Sequence, residues 1–451
     1  MKHQYTFLPL AAIVCGLLAT ASTWAAVSAE EAAKLKTELT PLGGEKAGNK
    51  DGSIPAWTGG YTTPIPGFVN GGKRGDPFAN EKPLYSVTAK NIAQYADKVT
   101  DGQKELLRKY PDSYRLDVYQ THRTAAAPQW VYDNTLKNAT RAKIENSIVS
   151  EAYGGIPFPI PKSGEEVMWN HTLRWRGAAF HNHFSGVQLT GEGKVVMTVE
   201  ADMDIQMPYY DKNGSLEKFD GMYWAIRMRN LGPAIRAGEA IAGVNTMDPA
   251  KWQAWVYLTG QRRTRKLPNA CCDTPSPASA GLMNFDQSDV FNGRTDLFDW
   301  KLVGKQEMLV PYNVNRQLKY TSKNLVKGNH IDPDAQRWEL HRVWVVEATL
   351  KPGKRHTQPK RKFYVDEDTW TVLLGDHWDA NGRLWQTGFA DVVVMPDLPA
   401  TTLAQNAGFY DLISGAGFFA GVQEFDEQYK IMPGYPASTF TPEGLAGDGV
   451  R

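Results

Sequence analysis

Two histidines separated by one residue, His181 and His183, have the spacing with the clearest potential for metal chemistry. On a β-strand, residues two apart point to the same face, so both imidazoles would approach one ion. Glu200 or Asp202, from a neighbouring predicted strand, would then supply a carboxylate ligand. The sequence identifies no definite third ligand, and such pairs also arise by chance on exposed strands. We therefore predict no metal site. A metal-dependent hydrolase is accordingly the least favoured of the three functions that we consider for this sequence.

A run of oxygen-bearing side chains in an irregular stretch is the second candidate. It comprises Asp286, Asp289, Asn292, Asp296 and Asp299. The calcium-loop pattern of alternating ligands, a central glycine and a terminal glutamate is missing from it, so loop capping and solvation explain the run better. The sequence also contains no nucleophile elbow, phosphate-binding loop or dinucleotide fingerprint. It predicts no catalytic residue, no cofactor and no enzymatic activity.

Cys271 and Cys272 are the only cysteines beyond residue 25. Adjacent Cα atoms lie about 3.8 Å apart, below the usual range of about 4.4 to 6.8 Å for a disulfide, so a bond between them would be strained. The functional alternatives are a redox-active pair or a two-thiolate metal site, but further ligands at normal spacing are missing. Whether the two cysteines bond stays open. We predict a loop pair without chemistry and a chain that disulfides do not staple.

Large aromatic residues are frequent, and several fall in predicted strands. Those predicted to bind an apolar ligand are Trp252, Trp255, Tyr257, Trp344, Trp370 and Trp385. Aromatic side chains on a curled sheet either line a ligand cavity or fill the interior, and the sequence leaves both alternatives open.

A basic cluster, Arg262 to Lys266, follows the turn at residues 259–261. Arg263 and Arg265 share a face of the predicted return strand, and we predict that they contact an anionic head group or an acidic partner. The alternative is a solvated strand face.

The first residues have the pattern of a secretory signal peptide. A short basic start precedes an apolar run of about 15 residues from Phe7 to Ala21, followed by small residues. A membrane span needs about 20 apolar residues, so cleavage is favoured over anchoring. The small residues allow cleavage after Ala25 or Ala29. We therefore expect an exported, periplasmic protein without a transmembrane segment in its mature chain.

The composition indicates a globular, β-rich protein. The chain has 451 residues, of which 42% are hydrophobic and 22% charged, enough for a large core. With 50 Lys and Arg against 49 Asp and Glu, the formal charge of +1 argues against a nucleic-acid partner. The 14 tryptophans, 41 glycines and 27 prolines favour strands and turns over a helical bundle.

Local patterns predict short helices first and antiparallel strands from about residue 167. Ser28 and Glu31 have capping-box spacing, which predicts a helix ending before Pro41, and helices are also predicted over 88–99 and 100–110. Alternation predicts strands over 168–176, 194–203, 205–210, 216–224, 252–258, 262–267, 339–350, 361–366, 370–374 and 384–395. Residues 228–242 are predicted to be helical, and 404–430 to form a short helix or loop that plugs the core. Short turns join the strands into two meanders of a curved antiparallel sheet.

Several stretches resemble a family of exported bacterial proteins of unknown function, DUF1329, often described as outer-membrane lipoprotein-sorting-like. They span residues 39–60, 110–112, 299–305 with 311–313, and 337–347, and the longest begins Leu-Thr-Pro-Leu-Gly-Gly-Glu-Lys-Ala-Gly. The resemblance covers nearly the whole mature chain. It implies kinship with the lipoprotein carriers LolA and LolB, whose fold is a half-open antiparallel barrel closed by helices over an apolar cavity.

From these patterns and the resemblance we predict an α+β, β-rich fold: a curved antiparallel sheet or half-open barrel, LolA/LolB-like, with covering helices and a long wrapping N-terminal arm. The arm would occupy residues 26–165, the meander 166–400 and a C-terminal segment 401–451. The preferred function is a non-enzymatic periplasmic carrier of an apolar or lipid-like ligand. Because the family is associated with envelope transporters of the resistance-nodulation-division type, the alternative is a structural adaptor for such a transporter.

Overall fold

The computed structural model describes residues 26–267, 271–402, 407–422 and 428–448. Within them the helices are α1 (Ala29–Ala33), α2 (Asp101–Lys109), α3 (Gln129–Arg141), α4 (Gly164–Thr172) and α5 (Pro442–Asp448). The predicted signal peptide over residues 1–25 lies outside the described residues. In the described ranges, no helix combines the length and apolar character that a bilayer crossing requires.

Strands dominate the regular structure. In the first half of the chain they are β1 (Tyr85–Val87), β2 (Leu116–Val118), β3 (Lys143–Glu145), β4 (Ile148–Ser150), β5 (Ala179–Leu189), β6 (Val195–Gln206), β7 (Met222–Gly232), β8 (Ala240–Thr246), β9 (Gln253–Leu258) and β10 (Arg263–Lys266). In the second half they are β11 (Phe298–Pro311), β12 (Val326–Lys327), β13 (His330–Ile331), β14 (Trp338–Leu350), β15 (Lys360–Asp366), β16 (Val372–Trp378), β17 (Leu384–Ala390), β18 (Val393–Met395), β19 (Ala400–Thr402), β20 (Ala407–Asp411), β21 (Gly417–Val422) and β22 (Lys430–Ile431).

Sixteen of the described strands form one large curved sheet. Its order is β1-β2-β14-β15-β16-β17-β20-β21-β5-β6-β7-β8-β9-β10, with β11 beside β14 and β22 beside β5. Pairing is antiparallel except for one bridge between β14 and β2. The first and last strands of this order do not pair with each other among the described residues, so the sheet is open. The predicted β-rich fold with a curved antiparallel sheet is confirmed.

The two predicted meanders meet through strands from the end of the chain. β20 pairs with β17, and β21 pairs with both β20 and β5. The prediction of a helix or loop over 404–430 is therefore wrong for the described part of that segment. Small residues make this junction possible, because aromatic rings lie directly on the backbone: a Cβ added at Gly388 would lie 2.3 Å from the ring of Phe409.

Each face of the sheet carries a buried hydrophobic cluster. Adjacent residues such as Phe418 and Phe419 belong to two different hydrophobic clusters, as the period-two alternation of a strand requires. We call the face that carries Phe418 the inner face and the face that carries Phe419 the outer face. Helix α4 packs on the inner face over β11 and β14, and α2 packs on the outer face over β16 and β17.

Helix α4 replaces the strand predicted over 168–176, which is wrong. The Ser163 side chain accepts a hydrogen bond from the Glu166 amide at 3.2 Å and caps the helix. The Glu166 carboxylate in turn accepts from the Lys162 amide. These N-terminal hydrogen bonds outweigh the short alternation that suggested a strand.

Two predicted helices are also wrong, and two are confirmed. Residues 88–99 contain only the short 3-10 turn Ile92–Tyr95, and residues 228–242 contain the end of β7 and the start of β8. Pairing with β6 and β9 on either side satisfies the backbone groups of β7 and β8. The helices predicted after Ser28 and Thr100 form, and each of those side chains accepts an amide hydrogen bond from its first turn.

The predicted N-terminal arm wraps over the sheet. Asn49 donates to Glu307 of β11 at 3.2 Å, and Arg74 makes two hydrogen bonds of 2.8 and 2.7 Å to Asp397. These contacts span more than 250 residues of sequence, so the arm belongs to the folded body. The division into three stretches remains a prediction.

The N-terminus of α2 sits on a buried carboxylate of β16. Asp376 accepts hydrogen bonds from the Gly102 amide at 3.2 Å and from the Thr387 hydroxyl at 2.9 Å. A Cβ added at Gly102 would lie 2.1 Å from the Thr387 hydroxyl, so only glycine permits this approach. Burial raises the pKa of Asp376 to about 6, although these donors lower it.

The difference in unfolding free energy between Asp376→Asn and wild type is expected to depend on pH. It should be more favourable to the variant above pH 6 than at acid pH. Between about pH 4 and about pH 6 the native carboxyl holds a proton that the unfolded chain has released, so its contribution to stability falls as pH rises. Removing the titration should raise the variant's unfolding free energy relative to wild type by about 3 kcal/mol across this window. Urea unfolding at pH 4 and pH 8 measures it. The exposed Asp97→Asn is the control, and a pH-independent difference for Asp376→Asn would refute the prediction.

Candidate functional site

A cavity of about 440 Å³ lies against the inner face of β5 to β8. Its walls are mainly apolar, and the strands contribute Phe180, Phe184, Val199, Met203, Ile205, Trp224, Ile226, Met228, Ile241 and Phe418. Pockets of about 300 to 1,000 Å³ with apolar walls and a few placed polar groups are typical of small-molecule sites. The cavity is thus large enough for a lipid-like ligand.

A loop over residues 271–294, which we call the roof, covers this cavity. Ala278 of the roof accepts a 2.7 Å hydrogen bond from Thr198 of β6, and Gln287 donates to Gln386 of β17 at 2.7 Å. Cys271 begins the roof and lines the cavity. Because hydrogen bonds join the roof to both meanders, the cavity is pre-formed.

Cys271 and Cys272 are bonded to each other in the structure, which answers the question that the sequence left open. They lie in irregular structure, as predicted. Since the bonded residues are neighbours, the disulfide closes no long loop and does not staple distant parts of the described chain.

Two arginines and one aspartate form a polar corner of the cavity. Arg176 lines the cavity, Arg174 lies behind it fully buried, and both donate to the same oxygen, Oδ2 of Asp289. Burial would raise the pKa of Asp289, but the charges of Arg176 and Arg174 hold it well below its usual value. Burial and the nearby Arg176 lower the pKa of Arg174 to about 10, so it remains protonated at neutral pH.

The acidic run recognised in the sequence is divided among separate ion pairs. Asp286 is buried and accepts from His356 at 3.0 Å and from Arg361 at 2.8 Å. Asp296 pairs instead with Arg294. The structure therefore does not bring these carboxylates together around one point.

Of the six aromatic residues predicted to bind ligand, Trp252 lines the cavity. Trp255 and Tyr257 lie on the outer face, where they pack with Leu445 of α5. The alternation of β9 places Trp255 and Tyr257 on the same face, whereas Trp252 lies just before the strand begins. Ligand binding by Trp252 remains a prediction.

The other three predicted aromatics lie outside the cavity lining. Trp344 and Trp370 stack at 6.4 Å, and Trp370 is fully buried in the inner-face core. Trp385 is partly exposed and donates to Asp411 at 2.9 Å. Trp344 and Trp370 pack in the interior, and Trp385 forms a hydrogen bond between neighbouring strands. Filling of the interior was the second alternative that the sequence left open for the aromatic residues.

The predicted basic residues Arg263 and Arg265 are exposed on β10, which is the edge strand of the sheet. They pair in register with Leu258 and Val256 of β9. The placement leaves both guanidinium groups accessible to solvent, and their contact with an anionic partner stays a prediction.

The histidines of β5 lie on the outer face. His181 lies 2.8 Å from Asp204, and His183 lies 2.9 Å from Asp202. Each of these carboxylates also binds an arginine of β7. Burial raises the pKa of Asp204, but its bonds to His181 and the arginine lower it overall. The two histidines therefore belong to a ladder of polar contacts between three strands, in which the arginine–aspartate contacts are the ion pairs.

One buried group in the described chain has the donor atoms for a metal ion. His341, Asp366 and Asp368 bring one ligand atom each within 4.8 Å of the others. Arg123 already binds both oxygens of Asp368, at 2.8 and 2.6 Å, and the Glu45 carbonyl at 2.7 Å. This arrangement is an ion-pair network that fastens the N-terminal arm.

The polar corner was missed by sequence reasoning. Arg174 and Arg176 lay in a segment predicted to be a strand, and Asp289 was grouped with the acidic run. The alternation of Phe180 and Phe184 with the two histidines of β5 could have identified the apolar wall of the cavity, but it does not indicate the polar corner.

A curved open sheet that holds a roofed, apolar cavity defines this molecule as a β-sheet protein with an internal cavity. The chain belongs to the family of proteins of unknown function DUF1329, whose model matches residues 86–446. An uncharacterized protein of Pseudomonas aeruginosa, PA3922, is 40% identical over 463 residues, which cover 100% of both chains.

Solved structures align with this chain at low sequence identity and low TM-score. A putative outer membrane lipoprotein-sorting protein domain from Vibrio parahaemolyticus has a TM-score of 0.44 and 11% identity, covering 62% of this chain and 97% of that one. A DUF1329 family protein from Desulfovibrio piger has a TM-score of 0.41 and 15% identity, covering 60% and 92%. A LolA superfamily protein from Nitrosomonas europaea has a TM-score of 0.36 and 12% identity, covering 62% and 98%.

Proposed function

We propose that the protein is a non-enzymatic periplasmic carrier that shelters an apolar, lipid-like ligand in the roofed cavity. The observation that carries the proposal is the apolar-lined space of about 440 Å³ on the inner face. Each ligand methylene transferred from water into such a space contributes about 0.8 kcal/mol, so a chain of several methylenes binds without covalent chemistry.

The mature chain, stripped of lipid, is expected to bind a long-chain acyl probe saturably and with one-to-one stoichiometry. Trp224 and Trp252 line the cavity, so their fluorescence should change on binding. Fluorescence titration measures the affinity, and mass spectrometry of the natively purified protein identifies any ligand it retains. Failure of the stripped protein to bind acyl probes would refute the carrier function, and cell fractionation tests the periplasmic location.

A second candidate function is that of an adaptor for an envelope transporter. The supporting observation is the exposed basic edge strand β10, which offers Arg263 and Arg265 to an acidic partner. An adaptor would be captured with a defined transporter by cross-linking in intact cells, and replacement of both arginines by glutamine should abolish that capture. A wild-type yield from the doubly substituted protein would argue against this surface.

A further inference from the structure

The cavity wall carries more positive than negative charge. Among its described lining residues, the charged ones are Arg176, Asp289 and Arg294. Arg294 is already paired with Asp296 through hydrogen bonds of 2.8 and 2.6 Å. Arg176 has to share Asp289 with Arg174, so one carboxylate serves two guanidinium groups.

The single Asp289 carboxylate leaves the two arginines short of hydrogen bonds as well as of negative charge. Both arginines bind the same oxygen of Asp289, and the Nε atoms of both are buried without a hydrogen-bond partner among the described residues. The neighbouring His171 does not balance these charges. Burial holds its pKa well below the usual value, so the imidazole is neutral. Buried charge is normally balanced by a partner, and unsatisfied buried donors are costly. An anion at this corner would supply the missing balance.

We propose that the ligand carries an anionic head group, a carboxylate or a phosphate, which binds at Arg176 while its apolar tail occupies the rest of the cavity. The inference rests on the proposed carrier function and names its ligand class. Arg176 is 8% exposed and lines the cavity beside the stacked rings of Phe180 and Tyr429. A guanidinium held in this way is suited to bind an oxyanion through charge-assisted hydrogen bonds.

Matched probes separate this inference from the carrier function. The wild-type chain is titrated with a long-chain fatty acid, a monoalkyl phosphate, the methyl ester of the acid and inorganic phosphate. The two anionic amphiphiles should bind at least tenfold more tightly than the ester, the factor that about 1.4 kcal/mol provides. Equal binding of acid and ester would overturn the head-group inference and leave the carrier function intact. Binding of no amphiphile would overturn both, and inorganic phosphate binding as tightly as the alkyl phosphate would overturn the lipid assignment.

Two variants with opposite expected effects test the residue assignment. Arg176→Gln should reduce the preference for acid over ester to about twofold or less, with ester affinity unchanged. Asp289→Asn should increase the preference, because it frees Arg176 and Arg174 from their shared partner. Arg108→Gln, at a side chain that is 73% exposed on α2, is the charge-matched control and should preserve the wild-type preference. Thermal unfolding checks that each variant is folded. If Arg176→Gln does not fold, Asp289→Asn and the wild-type probe series decide, and an unchanged preference in folded Asp289→Asn would overturn the assignment.

Discussion

Ala420→Trp is expected to weaken the binding of a long-chain acyl probe by about 100-fold or more. Ala420 lies on β21 and lines the cavity, and its side chain is partly exposed there. An indole at this position would occupy the space available to the ligand. If it excludes about four methylene groups, the lost transfer free energy is about 3 kcal/mol, which corresponds to more than 100-fold in affinity.

The measurement is the displacement of a fluorescent acyl probe, recorded through the fluorescence of the probe and not of tryptophan. Thermal unfolding accompanies it. Ala93→Trp adds the same side chain at an exposed position of the 3-10 turn Ile92–Tyr95, and it should leave affinity unchanged. If folded Ala420→Trp kept its affinity within about threefold, less than about 0.7 kcal/mol, the acyl site would have to lie elsewhere.

Arg123→Ala is expected to lower the free energy of unfolding by about 3 to 5 kcal/mol. The side chain is 2% exposed, pairs with both oxygens of Asp368 and lies 3.4 Å from Glu367. It also donates to the carbonyl of Glu45 in the N-terminal arm. Truncation would remove the arginine that pairs with the buried Asp368 carboxylate and release a clamp on the arm, so both stability and arm attachment should suffer.

Urea unfolding gives the stability change, and limited proteolysis should show faster cleavage in the arm before residue 84. Arg108→Ala is the control, because the Arg108 side chain is 73% exposed and pairs with Glu105 on the surface of α2. Such pairs contribute about 0 to 1 kcal/mol. Equal effects of the two substitutions would show that the Arg123 network does not hold the arm.

The same inner face is packed in one half of the sheet and hollow in the other. Over β14 to β16, Val346, Phe363 and Trp370 are completely buried beneath α4 and the neighbouring loops. Over β6 and β7, Met203 and Trp224 are only partly buried, because their cover is the irregular roof. The difference in cover explains why the cavity lies on the first meander, and it makes the first meander the place to test for ligand binding.

The elements that were predicted correctly depend on neighbouring residues. The strands over 252–258 and 262–267 form with a tight turn between them, and the capped helices after Ser28 and Thr100 form as expected. β20 and β21 were missed because their pairing partners, β17 and β5, are distant in sequence and their glycine-rich composition gives no strong local pattern. Long-range pairing therefore decided what local propensity did not.

By itself the sequence determined the β-rich class, the alternating faces of its main strands and the family to which the chain belongs. Only the tertiary structure decided which face of each strand borders the cavity. On β9, Ala254 lines the cavity, whereas the next residue, Trp255, lies opposite Ala242 of β8 and packs near Leu445 from the end of the chain. The physical reason is that successive strand residues point to opposite faces, so a difference of one position exchanges inside for outside. Neither the register nor the distant covering helix is encoded in the local pattern.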